Sequence, residues 1–206
     1  TEAGLLARTG GRELRRVVFG AEAIESKVRE MGAEITGYYG PDADVLILGL
    51  LKGSFIFLSD LVRHIDRPLH VDFIVASSYG AGTTTSGDVK LLYDPTAPIE
   101  GRHIILVEDI VDSGNTINRL ARALASRSPA SVELCALLHK NIAEGLVLEP
   151  RWVGFDAPEE FLVGYGLDHA EDFRHLPFVA SICAADGNAE EGLTWQRRVR
   201  TTETRI

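Results

Sequence analysis

The 206-residue sequence predicts an α/β fold with a mainly parallel, twisted β-sheet flanked by helices. Two observations lead to this prediction. Short apolar runs alternate along the chain with segments of helical period, and charged or small residues follow several of the runs. In sheets of this kind ligands bind beyond the carboxyl ends of the strands. The residues that follow each apolar run are therefore the candidates for function.

The elements can be placed in order. Apolar residues recur every three or four positions between Ala21 and Tyr39, which predicts an amphipathic helix. The run from Val45 to Leu51 is short and bounded by polar residues, which is typical of a strand buried on both faces. The other predicted elements are a helix at 55–65 with Ser54 as its N-cap, strands at 71–76 and 103–107, a helix at 115–127 and a strand at 132–138.

Composition narrows the class of protein. Lysine and arginine number 21 against 30 acidic residues, a net charge of −9, and the basic residues are dispersed, which argues against binding along a nucleic-acid backbone. The sequence contains no apolar run of membrane-spanning or signal-peptide length, so we expect a soluble, cytoplasmic protein. Cys135 and Cys183 lie in apolar runs without metal-ligand spacing and are expected to be buried, reduced thiols.

The segment from Val107 to Thr116 carries the most chemical information. Two adjacent acids, Glu108 and Asp109, end a predicted strand, Asp112 follows, and Ser-Gly-Asn-Thr opens a helix. A helix N-terminus behind a loop of small residues exposes backbone N–H groups and suits a phosphate. The spacings of a Walker loop and of a dinucleotide-binding loop are absent. The alternative is that Asp112 or Ser113 only caps the helix while the paired acids face water.

This segment resembles the phosphoribosyl pyrophosphate (PRPP) signature of type I phosphoribosyltransferases, specifically that of the hypoxanthine-guanine phosphoribosyltransferases. Three further segments match in the family's order: Leu50 to Phe55, Ser77 to Gly80, and Phe161 to Asp168 followed by Arg174. The resemblance covers about residues 15–183. We therefore expect a phosphoribosyltransferase domain at 1–184 and a peripheral tail at 185–206.

The resemblance implies the type I phosphoribosyltransferase fold, with a small hood region and a mobile lid at 77–87. It implies Mg²⁺-dependent purine salvage: hypoxanthine or guanine reacts with PRPP to give IMP or GMP and pyrophosphate. The protein would be a homodimer or homotetramer acting on small molecules. Two alternatives stay open, a phosphoribosyltransferase for another base such as xanthine, and a regulator of the same fold that binds PRPP or nucleotides.

Residues for the sugar and its phosphates follow from the resemblance. Glu108 and Asp109 would bind the ribose hydroxyls, directly or through Mg²⁺, and Asp168 would coordinate a Mg²⁺ on the pyrophosphate; carboxylates suit both partners. The 5′-phosphate would lie against Asp112, Ser113, Gly114, Asn115 and Thr116. Many families have Lys or Arg where this chain has Asn115. The pyrophosphate would contact Lys52, Gly53, Ser78, Tyr79 and Arg174, with the Leu51–Lys52 peptide able to be cis.

Residues for the purine follow in the same way. Phe161 would stack on the ring with Ile110 on the opposite side, although from spacing alone an aromatic in this context is typical of a core. Lys140 would donate to the 6-oxo group, which disfavours adenine because adenine presents a donor there and would leave a desolvated ammonium unpaired. The Leu162 carbonyl would accept the 2-amino group of guanine.

Asp112 is the candidate catalytic residue, because the resemblance places it near purine N7. A free aspartate is a weak base at neutral pH. Two roles therefore stay open for it. It acts as a general base if the neighbouring 5′-phosphate strengthens its hold on a proton, and otherwise as an electrostatic and hydrogen-bond partner.

Overall fold

The computed structural model of the chain describes residues 8, 9, 12, 14–77, 90–112, 114–140 and 145–182. Its strands and helices follow one another as β1 (Arg16–Phe19), α1 (Ala21–Tyr38), β2 (Val45–Leu51), α2 (Phe55–Val62), β3 (His70–Ser77), β4 (Lys90–Tyr93), β5 (His103–Val111), α3 (Asn115–Ala125), β6 (Ser131–His139), β7 (Pro150–Asp156), β8 (Phe161–Val163) and β9 (Val179–Ile182).

The main sheet has six strands in the order β4-β3-β2-β5-β6-β7. All neighbouring strands are parallel except β4, which pairs antiparallel with β3. This confirms the predicted fold class. Because β2, β5 and β6 are adjacent and parallel, the residues at their carboxyl ends meet at one edge of the sheet. That edge is where the candidate residues were predicted to lie.

Helices cover both faces of the sheet. Val45 and Ile47 of β2 pack into a core cluster with residues of α1 and α2, whereas Leu46 and Leu48 pack on the opposite face with residues of α3. Alternate side chains of a strand point to opposite faces, so a strand that is apolar at every position is buried on both sides. The prediction for the run at 45–51 is confirmed.

A second, three-stranded antiparallel sheet has the order β1-β9-β8 and forms the hood. Its strands come from opposite ends of the described chain, with Val17 opposite Ala180 and Leu162 opposite Ser181. An ion pair between Arg16 and Glu160 links the first strand to the residue before β8. The hood was implied by the family resemblance, but its strands were not predicted from the pattern, because three or four residues carry little periodicity. The four-residue strand β4 was missed for the same reason, and the seven-residue strand β7 was missed because polar and small residues interrupt its apolar positions.

The structure corrects four local predictions. Strand β5 runs to Val111 rather than ending at residue 107, since its pairing with β6 continues as far as His139, so Glu108 and Asp109 lie within the strand. Ser54 makes no side-chain cap; its hydroxyl donates to the Leu50 carbonyl at 2.7 Å. The second and third predicted helices end earlier, at residues 62 and 125.

Several predictions lie outside the described residues. These are the lid beyond residue 77 with Ser78 and Tyr79, the loop residue Ser113, Cys183, and the tail at 185–206. The other cysteine, Cys135, is a buried free thiol, as predicted. None of the described helices combines the length and apolar character needed to cross a membrane.

Candidate active site

Two half-buried carboxyl groups, those of Glu108 and Asp109, lie at the carboxyl end of β5. Burial, with the neighbouring charge of Asp109, raises the pKa of Glu108 well above its ordinary value. Within the described part of the chain, Glu108 Oε2 is buried and has no hydrogen-bond partner. Burial also raises the pKa of Asp109 to about 6, although the Ile110 backbone N–H and the charge of Arg174 oppose the shift. A buried carboxylate without a partner is costly, so this pair is suited to a ligand that brings hydroxyl donors or a cation.

A cleft of about 90 Å³ lies between this strand end and the start of α3. Its lining consists of Glu108, Ile110, Val111, Asp112, Gly114, Asn115, Thr116 and Ile117. The N-cap of α3 is Gly114, which has a φ of 74° and no side chain with which to cap the helix. The first backbone N–H groups of a helix have no partner within it, so they are available to an anion in this cleft. Because Gly114 occupies the N-cap position, Asp112 is not the N-cap of this helix, and the alternative with Ser113 falls on a residue outside the described ones.

Lys140 reaches back to Asp112. Its Nζ lies 3.3 Å from Asp112 Oδ2, and its backbone N–H donates to the Val111 carbonyl at 2.9 Å. The lysine side chain is only 15% exposed, whereas that of Asp112 is 54% exposed. The structure thus brings the candidate catalytic residue and the candidate 6-oxo donor into contact, with the aspartate on the open side.

The loop after β2 packs directly on this acidic strand end. A Cβ atom on Gly53 would lie 1.7 Å from Asp109 Oδ2, so glycine is required for the approach. The Leu51–Lys52 peptide bond is cis. The Lys52 ammonium is exposed and lies 3.1 Å from Glu171 Oε2, a residue of the loop between β8 and β9.

That loop carries the two remaining charged candidates. Arg174 Nη2 lies 2.7 Å from Asp168 Oδ1, and its Nη1 donates to the Gly166 carbonyl at 2.8 Å. Gly166 has a φ of +102°, and a Cβ on it would lie 2.0 Å from the Gly53 carbonyl oxygen. The loop therefore packs on the Lys52–Gly53 segment, and the charges of both Arg174 and Asp168 act on Asp109.

Phe161 and Leu162 lie in β8 of the hood. Phe161 is 46% exposed, so it is not a core aromatic, and its ring contacts that of His169 edge-on at 5.3 Å. Leu162 is buried, and its neighbour across the sheet is Ser181. On the main sheet, Ile110 is half-buried and packs against the core on the α1 side. An exposed aromatic face is available for stacking on a flat ligand.

The sequence analysis missed three residues of this region: Glu171, Tyr165 and Asp60. Glu171 contacts both Lys52 and Arg174, the latter at 3.4 Å. The Tyr165 hydroxyl donates to Asp60 Oδ2 at 2.6 Å. Glu171 lies outside the matched segment, between its last residue, Asp168, and the matched Arg174, and this position is the only signal that the sequence offered. Nothing in the local sequence around Asp60 indicates its contact with Tyr165.

Across the described residues, no group of three or more His, Cys, Asp or Glu side chains is arranged to hold a metal ion. Glu108, Asp109 and Asp168 therefore do not form one metal cage. Mg²⁺, however, is commonly bound by one or two carboxylates together with waters and substrate phosphates. The unpartnered Glu108 oxygen and the separate Asp168 carboxylate fit that mode of binding.

Comparisons with known proteins agree with this geometry. The family model of the phosphoribosyl transferase domain matches residues 19–170. The hypoxanthine phosphoribosyltransferase of Salmonella typhimurium is 42% identical over 164 residues, which cover 79% of this chain and 92% of that protein. In total, 61 curated proteins and 373 solved chains match.

Two solved structures are similar over most of their length. A hypoxanthine-guanine phosphoribosyltransferase from Bacillus anthracis, with a HEPES molecule in its active site, has a TM-score of 0.77 and 41% identity, covering 82% of this chain and 99% of that one. A hypoxanthine phosphoribosyltransferase from Staphylococcus aureus has a TM-score of 0.77 and 37% identity, covering 82% and 91% of the two chains. This chain therefore belongs to the phosphoribosyl transferase family and groups within it with the hypoxanthine phosphoribosyltransferases.

Proposed function

We propose that this enzyme transfers the 5-phosphoribosyl group of PRPP to hypoxanthine or guanine, forming IMP or GMP and releasing pyrophosphate. The observation that carries the proposal is the contact between Lys140 and Asp112 beside the acidic end of β5. A donor and an acceptor held side by side match the 6-oxo group and N7 of such a purine, which are neighbours on one edge of the ring. The named relatives support the same substrate class.

The sugar donor would lie along the edge of β5 and the start of α3. The 2′- and 3′-hydroxyls of its ribose would donate to Glu108, whose Oε2 has no partner among the described residues, and to Asp109. Its 5′-phosphate would occupy the cleft before α3, where backbone N–H groups and the helix dipole stabilise an anion. We also assign Ser113 and the hydroxyl of Thr116 to the binding of the 5′-phosphate.

The pyrophosphate group would lie between the loop after β2 and the loop carrying Arg174. Lys52 supplies an exposed ammonium, and Arg174 has a buried Nε without a hydrogen-bond partner among the described residues. Gly53 allows the anion to approach the backbone. Mg²⁺, when bound through Glu108, Asp109 or Asp168, would neutralise part of the phosphate charge. Ser78 and Tyr79 are proposed to cover this group.

In the reaction, the bond from the anomeric carbon to the pyrophosphate oxygen breaks as a bond from the purine nitrogen forms. The electron pair leaves with pyrophosphate, whose negative charge Lys52 and Arg174 would stabilise. A purine that reacts through one imidazole nitrogen loses the proton of the other, and Asp112 is placed to accept it or to hold it in a hydrogen bond. Phe161 and Ile110 would hold the ring between them, which supplies orientation rather than chemistry.

Selectivity follows from Lys140. A 6-oxo group accepts a hydrogen bond from its ammonium, whereas the 6-amino group of adenine would leave the mostly buried ammonium facing another donor. The Leu162 carbonyl would favour the 2-amino group of guanine. Location in the cytoplasm and assembly into a homodimer or homotetramer, which the family resemblance implies, complete the proposal.

Conversion of hypoxanthine, guanine, xanthine and adenine by PRPP and Mg²⁺, followed spectrophotometrically, tests the proposal. We expect turnover of hypoxanthine or guanine and none of adenine. Lys140→Ala should lower kcat/KM for the preferred base about 30- to 100-fold, because it removes a charged hydrogen bond made to the base. Lys27→Ala, which removes a half-buried lysine paired with Glu30 on α1, is the matched control and should leave kcat/KM unchanged. Preference for xanthine or adenine would contradict the assignment.

Asp112→Asn separates the two roles of the aspartate. As a general base, Asp112 contributes about 100-fold or more to kcat, and asparagine cannot replace it. As a hydrogen-bond partner, it contributes less, because the amide oxygen still accepts from a protonated N7. Unchanged kcat and KM would exclude both roles.

A further inference from the structure

The loop between β8 and β9 contains a tyrosine in a backbone conformation that few tyrosines adopt. Gly164, Tyr165 and Gly166 have φ values of 95°, 51° and 102°, three successive residues in the left-handed region. Glycine adopts such values freely, whereas a bulky residue does so only when the surrounding structure holds it there. Two kinds of contact hold Tyr165 in this conformation: its backbone N–H donates to the Leu176 carbonyl at 2.9 Å, and its side chain makes buried contacts.

Those contacts lead to helix α2. The Tyr165 side chain is buried, and its hydroxyl donates to Asp60 Oδ2 at 2.6 Å. The other oxygen of Asp60 pairs with Arg63, so the carboxylate is fixed from both sides. Burial and the adjacent carboxylate raise the pKa of Tyr165, and the hydroxyl therefore remains a donor across the working pH range.

The two ends of this hydrogen bond belong to the two segments assigned to pyrophosphate. Asp60 is on α2, which begins at Phe55, two residues after Gly53. Next to Tyr165, Gly166 packs on the Gly53 carbonyl. Gly166 and Arg174 also exchange two hydrogen bonds: the Gly166 N–H donates to the Arg174 carbonyl at 3.0 Å, and Arg174 Nη1 donates to the Gly166 carbonyl at 2.8 Å. Arg174 in turn holds Asp168.

A continuous chain of contacts thus runs from α2 through Tyr165 and Gly166 to the guanidinium of Arg174. We propose that Tyr165 is a positioning residue: its hydrogen bond to Asp60 fixes the loop so that Arg174 and Asp168 face Lys52 before the pyrophosphate group arrives. Tyr165 acts through these residues and not by touching the substrate. The inference rests on the proposed function, which assigns Lys52, Arg174 and Asp168 to that group.

Tyr165→Phe removes only the hydroxyl and leaves Asp60 paired with Arg63, so the fold is retained. We expect the KM for PRPP, and the Kd of Mg²⁺-pyrophosphate measured by calorimetry, to rise about five- to tenfold, in keeping with the loss of one hydrogen bond to a charged acceptor. The KM for hypoxanthine should stay within about twofold, because Lys140 and Asp112 lie outside this chain of contacts.

Substitutions at Asp60 make the test specific. Asp60→Asn keeps an oxygen that accepts from Tyr165 and should bind pyrophosphate within about twofold of the unaltered protein, whereas Asp60→Ala should match Tyr165→Phe. The double variant Tyr165→Phe/Asp60→Ala should be no weaker than either single variant, since both remove the same bond. Tyr38→Phe is the matched control: the Tyr38 hydroxyl donates to Glu133 at 3.2 Å, and its loss should leave pyrophosphate binding unchanged.

The outcomes separate the two proposals. If the unaltered protein binds pyrophosphate and Tyr165→Phe binds it equally well, the positioning role is wrong and the proposed function stands. If Tyr165→Phe raises the KM of both substrates equally while lowering Tm, the tyrosine is only structural and the positioning role is again wrong. If the unaltered protein neither binds pyrophosphate nor turns over PRPP, the proposed function fails and the positioning role fails with it.

Discussion

The acidic end of β5 and the loop between β8 and β9 hold their charges in opposite ways. Glu108 and Asp109 are half-buried, their pKa values are raised, and one buried oxygen of Glu108 lacks a hydrogen-bond partner in the described structure. Glu171 and Lys52, by contrast, are each 67% exposed and paired with one another. A buried unpaired charge destabilises the fold until a ligand arrives, whereas an exposed ion pair contributes little and can exchange partners. The end of β5 is therefore preorganised for a ligand group that stays bound in one position. The loop is suited to a ligand group that binds and is then released.

The largest expected effect is at the buried carboxylate. Asp109→Asn should lower kcat/KM for PRPP about 100-fold, because a charged acceptor is lost. The same substitution should stabilise the ligand-free protein at pH 7 by about 3 kcal/mol. The pKa rises from 3.8 in the unfolded chain to about 6 in the folded protein, so the folded state binds the proton more tightly. The contribution of Asp109 to stability therefore falls as pH rises from about 4 to about 6 and then stays level.

Thermal unfolding of both proteins from pH 4 to pH 7 checks this prediction. The Tm advantage of Asp109→Asn should be near zero at pH 4 and reach its full size above pH 6. Asp94→Asn, at an exposed aspartate paired with Arg127, is the control and should show no such growth. A constant Tm difference across this range would mean that Asp109 is not the buried acid described above.

Backbone packing between the two regions should give the next largest effect. Gly166→Ala places a Cβ 2.0 Å from the Gly53 carbonyl oxygen at a φ of +102°, so we expect a loss of about 2 kcal/mol in the free energy of unfolding. Gly37→Ala, inside α1 with open space around its Cα, should instead stabilise by about 0.5–1 kcal/mol. Urea unfolding measures both. Equal effects at the two glycines would show that the loop does not pack on Gly53.

A smaller effect is expected at the exposed ion pair. Glu171 occupies both Lys52 and Arg174, the two cations assigned to pyrophosphate. Glu171→Gln should therefore lower the KM for PRPP about two- to fivefold, the size expected for an exposed ion pair. Asp172→Asn removes the same charge from the neighbouring residue, which pairs with Arg12 instead, and serves as the control. If both variants lower KM equally, the effect comes from net charge and not from the contacts of Glu171.

The smallest effect is expected where the hood is tied by a surface ion pair. Arg16 lowers the pKa of Glu160 from 4.5 to about 2. This carboxylate contributes stability above its unfolded pKa, and the contribution is lost as pH falls from about 4.5 through 2. Glu160→Gln should thus have a slightly lower Tm than the unaltered protein at pH 6 and the same Tm at pH 2. A Tm difference that is unchanged at pH 2 would contradict this origin.

Local patterns predicted four of the six strands of the main sheet and none of the three strands of the hood. The runs at 45–51 and 132–138 are apolar at nearly every position, and such short apolar runs predict buried strands. The end of β5 was placed four residues early, because Glu108 and Asp109 look like the polar end of a strand. They stay in the strand because their backbone continues to pair with β6, a long-range interaction that a charge pattern does not report.

The family resemblance identified the candidate residues but not their partners. It named Lys52, Arg174 and Asp168 but did not indicate that Glu171 contacts the first two. It matched the segment containing Tyr165 but gave no reason to connect it with Asp60. A motif specifies residue types and their spacing. It contains no information about contacts with residues outside the motif.

The sequence by itself determined the alternation of strands and helices, the parallel sheet, and the acidic segment with its small-residue turn, because these depend on periodicity and spacing over a few residues. Only the tertiary structure decided the burial of Glu108 and Asp109 and the two contacts that hold the pyrophosphate-side loop, Tyr165 to Asp60 and Lys52 to Glu171. Those contacts join residues 105 and 119 positions apart. Their energies depend on solvent exclusion and on the meeting of distant segments, neither of which a local pattern encodes.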